Sequence, residues 1–405
     1  MTSPSRPRAL VVGLGIAGIA TALRLQQIGW EPVVVERAPA RRSGGYFIML
    51  FGTGAASARR LGVLDAIGDR NGPEVRNYTV NRAGRRTKGL TPAALPGAYR
   101  PRMLLRGDVE KALFEALPDD IEIRYSTVPT HIAQDVTSAE VTLHDTAADR
   151  VSTERFDLVV GADGMRSTVR RLVFSPADHL HPLHYMIGAT LLDGPVEGFG
   201  PQEGAILAEP GRSVWTFPFK DHSPSLLFSY RTNDVDAEFQ RPAIESIRAA
   251  FGPQPAGPLL EHLFTRFEQA DEFLFDSVNQ VRMPRWHEGR VVLVGDAAWC
   301  VTLYAGMGAS SGIAGGDLLG TMLERHVDDI PGALREWEAR LRPFIVTEQE
   351  SAYTTRRLFT PHDRREHLTR TAMVRLMGLP GLGAAFSKLA QGKDMAHKAI
   401  DIAAV

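Results

Sequence analysis

The chain has a single cysteine, Cys300, so an intramolecular disulfide is excluded. A lone thiol suits a reducing compartment, and a cytoplasmic location is expected. Neither sign of charge is in excess: 46 Lys and Arg stand against 47 Asp and Glu, for a net charge of −1. That balance leaves no electrostatic footprint for DNA, RNA or an anionic membrane. There is no apolar run long enough to span a bilayer. Met1 to Pro7 is polar and lacks the apolar centre of a secretory signal, so none is expected. Internal repeats and low-complexity tracts are absent, and nothing in the sequence fixes an oligomeric state. What remains is an ordinary globular composition, in which 405 residues suffice for two or more lobes. The partners left open are small molecules.

The organising stretch is a β-α-β unit over residues 8–37. Arg8 to Val12 is a short apolar run that reads as a buried parallel strand. Gly13-Leu-Gly15-Ile16-Ala17-Gly18 follows, then a helix expected over Ile19 to Gln27, closed by Gly29. Pro32 to Glu36 is a second strand with an acid at its end. Here Gly13 permits a tight turn, Gly15 lets backbone N–H groups approach a pyrophosphate, and Gly18 lets helix and strand pack closely. The helix N-terminus adds orphan donors and partial positive charge. Glu36 stands roughly 20 residues on, where a ribose-binding acid belongs.

Further along, Ala55 to Ile67 has helical spacing, and Asn77 to Asn81 with Arg85 onward reads as a hairpin. A helix is expected over Met103 to Leu117, strands at Ile121 to Tyr125 and Glu140 to Leu143, and a buried strand at Phe156 to Gly161. The middle changes texture. His184 to Leu192, Gly204 to Ala208, Ser213 to Phe219 and Ser225 to Arg231 read as strands of an antiparallel sheet, followed by helices near Ala243 to Phe251 and Leu259 to Gln269. Val291 to Gly295 returns to parallel-strand composition. Helices are expected over Ile313 to Arg325 and Gly332 to Glu350, with a pair after Thr369. The predicted fold is α/β: a Rossmann-like nucleotide-binding domain with an inserted, mainly antiparallel sheet and C-terminal helices. The nucleotide-binding domain takes residues 1–72, 98–176 and 278–345. Residues 73–97 and 177–277 form the substrate domain, and 346–405 the helical end.

Three stretches carry the chemistry. The first is the glycine turn with Glu36. The second is Asp157 to Arg170, with Asp163-Gly164 after a buried strand. The third is Gly289 to Ala298, with Gly295-Asp296 after another. Each aspartate can accept from a ribose hydroxyl or brace the backbone around a cofactor. Gly306-Met-Gly308-Ala309-Ser310 then opens a second helix N-terminus able to hold an electron-rich group.

In this order and spacing, with Arg106 and the helix around Trp337 to Pro343, these stretches resemble the FAD-dependent aromatic monooxygenases of the para-hydroxybenzoate hydroxylase type, which include the tetracycline-inactivating monooxygenases. The resemblance covers roughly residues 8–350. It implies that Gly13, Gly15, Ile16, Ala17 and Gly18 hold the FAD pyrophosphate. Glu36 and the adjacent Arg37 would serve the adenosine ribose, and Arg106 would reach the FAD. Asp163 and Gly164 would meet FAD and the passing NAD(P)H, and Arg42 the NAD(P)H. Asp296 would bind the ribityl-pyrophosphate region, and Gly306, Gly308 and Ala309 the isoalloxazine. It further implies NADPH or NADH as co-substrate, and hydroxylation of a phenolic or polycyclic aromatic through a flavin C4a-hydroperoxide. No catalytic side chain is assigned, and no metal is expected.

The chain departs from the family pattern beside the flavin. Trp299 stands for a histidine, Thr302 and Leu303 for prolines, and Ser310 for an asparagine. These changes keep two alternatives open: an FAD oxidase or dehydrogenase without oxygen insertion, and a non-catalytic binder of an aromatic metabolite. Plainer readings complete the picture. Cys300 reads as a small buried hydrophobe. His179, His181 and His184 lack an acid or cysteine to complete a metal set. His362 and His367 read as solvated. Trp215, Phe217, Phe219, Phe228 and Tyr230 read as sheet core, some of them facing the pocket.

Overall fold

The computed structural model describes residues 6–41, 44–89, 100–177, 179–377 and 394–404. Arg42 lies outside them, so its assignment has no structural counterpart.

Two large sheets organise the described residues. The nucleotide-side sheet has six strands, in the order His287–Glu288, Val291–Leu293, Leu158–Gly161, Arg8–Val12, Glu31–Val35 and Glu122–Arg124. All its pairings are parallel except that of the first two. Its inner strands are buried along their length because helices cover them, which is why their sequences run apolar without alternation. An antiparallel meander, Thr127–Gln134, Ala139–Asp145 and Arg150–Phe156, forms a separate three-stranded sheet.

The second large sheet has seven strands: Phe273–Val281, Leu180–Leu191, Ser225–Arg231, Arg212–Phe217, Glu203–Glu209, Arg76–Val80 and Arg86–Lys88. It is antiparallel except where Glu203–Glu209 meets Arg76–Val80. Its strands alternate in facing. Val214, Leu226, Phe228 and Tyr230 pack into a core with Phe251 of helix Ala243–Phe251 and Leu260, Leu263 and Phe267 of helix Gly257–Glu268. On the other face, Ile206, Trp215, Phe217 and Leu227 meet Phe47 and Phe359.

The sequence-based boundaries shift at several points. The first helix is Ile16–Gln27, three residues longer than expected, because it begins directly at the Gly15 cap. Ala55 to Ile67 splits into Gly52–Arg60 and Leu64–Ile67, broken where Gly62 takes a left-handed φ of +80°. Met103 to Leu105 is not helical. These residues belong to a strand, Arg102–Leu105, paired with Phe47–Leu50, and the helix is Arg106–Glu115. The break is fixed by Asp108, whose Oδ2 accepts from the Leu105 N–H at 3.1 Å. The last long helices run further than expected, as Gly308–Arg325 and Ile330–Phe359. Arg364–Met377 follows.

One crossing positions everything else. Helix Gly308–Arg325 lies against the first helix through Gly312, Gly316 and Gly320. A Cβ at Gly316 would stand 2.6 Å from Thr21 Oγ1, and one at Gly320 would stand 2.4 Å from Arg24 Cγ. Asp317, fully buried between these glycines, accepts from Arg60 Nε at 2.8 Å and lies 3.6 Å from Arg24 Nε.

Candidate functional site

The glycine turn closes on itself. The Gly13 N–H donates to Val35 O at 2.8 Å, and its φ of +109° is open only to glycine. A Cβ at Gly18 would lie 2.0 Å from Gly13 O, so helix and turn touch as backbone. Gly15 caps the helix with no side-chain bond, and the first-turn N–H groups remain available to a ligand.

In front of this turn is a cavity of about 250 Å³. Its wall gathers Gly13, Gly15, Glu36, Arg37, Arg106, Asp163 and Gly164, which the sequence scatters over 150 positions. Gly18, Ile16 and Ala17 stand behind it. Ile16 packs on the main core, and Ala17 lies against Gly295 and Gly312 at the helix crossing.

Two of the expected acids also brace the backbone. Glu36 accepts from the Leu14 N–H and the Ala38 N–H, both at 2.9 Å, which holds the turn against the second strand. Asp163 accepts from Ser167 Oγ at 2.5 Å and from the N–H groups of Thr168 and Val169 at 2.6 and 3.2 Å. It thereby braces the start of helix Thr168–Val173, whose N-cap is Ser167. Burial nonetheless holds its carboxyl above the ordinary aspartate range. Arg106 pairs with Glu110 at 2.6 Å and keeps part of its guanidinium in the cavity.

Asp296 occupies a different setting. Solvent reaches it, yet it lies deep enough that desolvation raises its carboxyl, against the pull of nearby Arg106. A Cβ on Gly308 would stand 4.0 Å from its Oδ1. Helix Gly308–Arg325 starts there without a side-chain cap, as the first helix does. Ala309 sits in its first turn. Gly306, at φ +70°, leads into it over Met49 and Phe51. Two helices that start uncapped thus meet where Ala17 lies against Gly312, and Asp296 stands beside the second start. Both can receive an anionic or electron-rich group.

Sequence reasoning missed two residues of this centre. Arg170 is fully buried, and its Nη1 and Nη2 donate to Ala297 O at 2.8 Å and Met165 O at 2.6 Å. It staples the Asp163 turn to the Asp296 turn. Arg166, Arg170 and Arg171 look alike in sequence, and packing alone separates them; Arg166 instead pairs with Asp276 of the seven-stranded sheet at 2.7 Å. Tyr46 accepts from the Arg106 N–H through its carbonyl at 2.9 Å. Burial, then Asp296 and Asp276, raise its phenol, and Arg106 opposes them. No spacing rule marks it.

The departures from the family pattern fall into place as packing. Trp299 is 1% exposed, in a cluster with Trp286 and Trp337, and its Nε1 donates to Ser311 Oγ at 3.2 Å. Ser310 is buried, and its Oγ accepts from the Phe51 N–H at 2.9 Å. Thr302 has a φ of +73°, which a β-branched residue rarely adopts. The loop continues to Tyr304, whose hydroxyl bonds Ser229 Oγ of the seven-stranded sheet at 2.8 Å. Cys300 is buried, and desolvation drives its thiol well above the usual range. His367 is not solvated as expected: it is half-buried, its Nδ1 has no hydrogen-bond partner, and burial lowers its pKa. Among the described residues no three His, Cys, Asp or Glu side chains converge on a metal-sized site, and no helix is long and apolar enough to cross a membrane.

Comparison with known proteins gives the family and the fold. The FAD binding domain family matches residues 6–329. A FAD-dependent monooxygenase, asL6 of Sarocladium schorii, is 28% identical over 385 residues, which cover 85% of this chain and 86% of that protein. A flavin-dependent monooxygenase of Legionella longbeachae is 26% identical over 360 residues, with coverage of 85% and 87%. Among solved structures, tetracycline destructase Tet(55) superposes with a TM-score of 0.76 at 24% identity, covering 96% of this chain and 97% of its own. Klebsiella pneumoniae HpxO, complexed with FAD and uric acid, gives 0.73 at 20% identity, with coverage of 98% and 96%. These superpositions establish the shared fold, and the family match covers most of the chain. With that match over most of its length, the chain belongs to the FAD binding domain family.

Proposed function

We propose that the protein is a FAD-dependent, NAD(P)H-consuming monooxygenase that hydroxylates a phenolic or polycyclic aromatic small molecule. The observation that carries this reading is the pair of adjacent uncapped helix starts, one of them on the cavity and the other beside Asp296. One start suits a pyrophosphate, the other the carbonyl edge of a flavin ring. When bound, FAD supplies the electron relay from the nicotinamide and the activation of O₂.

The chain's own groups have separable tasks in this scheme. The N–H groups after Gly13 and Gly15 would hold the pyrophosphate. The Glu36 carboxylate, already anchored by Leu14 and Ala38, would present its remaining lone pairs to a ribose. Arg106 and Arg37 would add positive charge along the same wall, and Gly164 would leave the rim open. Asp296 would accept from the ribityl chain. Gly306, Gly308 and Ala309 would line the ring, where the helix dipole favours negative charge on reduction. The aromatic face of the seven-stranded sheet, Trp215 and Phe217 above all, would cover the substrate and exclude water.

The test is anaerobic titration of FAD-loaded protein with NADPH and with NADH, then air and a panel of phenols. Flavin bleaching followed by a product 16 mass units heavier (one oxygen atom, roughly 16 Da) is the expected result. Bleaching with a product that has lost hydrogen instead would favour the oxidase alternative, for which the Thr302–Tyr304 loop is the structural motive. Failure to take up FAD would overturn both.

A further inference from the structure

Tyr304 lies on the loop 301–307, which leads into the second helix start at Gly308. The loop has a defined course. The Tyr304 N–H donates to Thr302 Oγ1 at 3.2 Å, and the Gly306 N–H to Leu303 O at 3.0 Å. Thr302 and Gly306 both take left-handed φ values. Among the described residues, Tyr304 supplies the only side chain of this loop that hydrogen-bonds outside it, through its hydroxyl to Ser229 Oγ at 2.8 Å. Both residues are 1% exposed. Burial drives the phenol well up, so the hydroxyl keeps its proton.

The anchor at the other end is firm. Ser229 sits in strand Ser225–Arg231, paired with Ile187 on one neighbouring strand and Ser213 on the other. Around the Tyr304 ring, Tyr185 stands edge-on at 5.9 Å and Phe359 at 6.2 Å. Tyr185 is itself held by Arg356, which pairs with Glu366. Thr360, which ends the long helix, is within reach of the Tyr304 hydroxyl and bonds Ser213 Oγ at 2.8 Å.

Stability does not account for the two hydroxyls. Replacing both partners of a buried hydrogen bond by apolar groups of the same shape is nearly neutral. What the bond adds is direction, because it tolerates a narrow range of distance and angle where an apolar contact accepts many. We propose that Tyr304 is a positioning residue: its bond to Ser229 fixes the backbone from Gly306 to Gly308 against the seven-stranded sheet. The ring end of the flavin site then takes its place from the substrate sheet. This rests on the reading of the second helix start as the seat of the flavin ring.

The experiment compares Tyr304→Phe, Ser229→Ala, their double variant and Ser213→Ala in the full-length protein. Urea unfolding without FAD gives stability, and flavin fluorescence titration, well below the unfolding midpoint, gives FAD affinity. Each single variant is expected to be less stable, and the double variant to regain most of that loss. FAD affinity is expected to fall about threefold or more in Tyr304→Phe and in Ser229→Ala, and by no larger factor in the double variant. Ser213→Ala should lose stability alone. FAD affinity that recovers with stability in the double variant, stays unchanged in Ser229→Ala, or falls equally in Ser213→Ala would overturn the proposal. Should Tyr304→Phe fail to fold, Ser229→Ala against Ser213→Ala still decides. Wild-type protein that binds FAD but never consumes NAD(P)H overturns the monooxygenase reading alone; wild-type protein that binds no FAD overturns both.

Discussion

The parallel sheet presents backbone to its cavity, whereas the seven-stranded sheet presents buried side chains to the end of the long helix. Around the cavity the key contacts are N–H groups, glycine Cα atoms and two carboxylates that themselves bond N–H groups. On the other sheet they are stacked rings, with Ser229, Ser213 and Trp215 bonding to Tyr304, Thr360 and Phe359. Backbone recognition demands glycine at fixed positions and tolerates little change. Recognition by side chains can be re-cut one residue at a time. The first half is thus constrained to one cofactor, and the second is free to differ in what it accepts.

Substitutions can break that contrast. Gly18→Val should have the largest effect, because its Cβ would meet a backbone oxygen that cannot yield. A loss above about 3 kcal/mol is expected, read as the absence of FAD-loaded soluble protein. Retention of full flavin would show that the turn is more plastic than its geometry indicates. Asp317→Ala removes the acid under the helix crossing and leaves Arg24 and Arg60 without it. Both arginines partly reach water, so a cost of about 2 kcal/mol is expected, below that of a fully buried pair, and is measured by urea unfolding.

In the other half, Phe217→Leu should leave FAD affinity unchanged and weaken aromatic-ligand affinity by up to about tenfold, because it breaks the ring row that Phe217 makes with Phe47 and Trp215. Equal loss of both affinities would mean the halves are not separable. The smallest effect is expected from Asp296→Asn in FAD-free protein. The Asp296 pKa is raised above its unfolded value. Its stabilising share is therefore complete at acid pH, below the unfolded pKa, and is lost as pH rises through the folded pKa. At neutral pH Asn relieves that loss, for a gain under about 1 kcal/mol once access to solvent is discounted. Thermal unfolding at pH 4 and pH 8 checks it: the variant should gain at pH 8 only, while binding FAD more weakly.

What could be read beforehand follows the same division. The turn from Gly13 to Gly18, Glu36 and the two Gly-Asp turns were legible because backbone geometry restricts residue type at those positions. The substrate sheet was legible as strands but not as a site, since any apolar ring satisfies its pattern. Met103 to Leu105 was misjudged because three apolar residues beside a helix fit either period, and the pairing with Phe47–Leu50 decides it. Arg170 was illegible for a further reason. Arginine is nearly always a surface residue, and its burial depends on contacts remote in sequence.

The glycine-lined crossing has a consequence for how the protein is made. Arg24, on the first helix, bonds Glu324 across a separation of 300 residues. At roughly 5–20 residues per second of synthesis, the first helix waits about 15–60 s for the helix it packs against. Through that interval the face of the first helix that will receive Gly316 and Gly320 is uncovered. A half-made chain is not expected to capture flavin, because the second helix start is made only after 307 residues. Loading is expected only after release of nearly the whole polypeptide, and chains ended before residue 320 should emerge colourless.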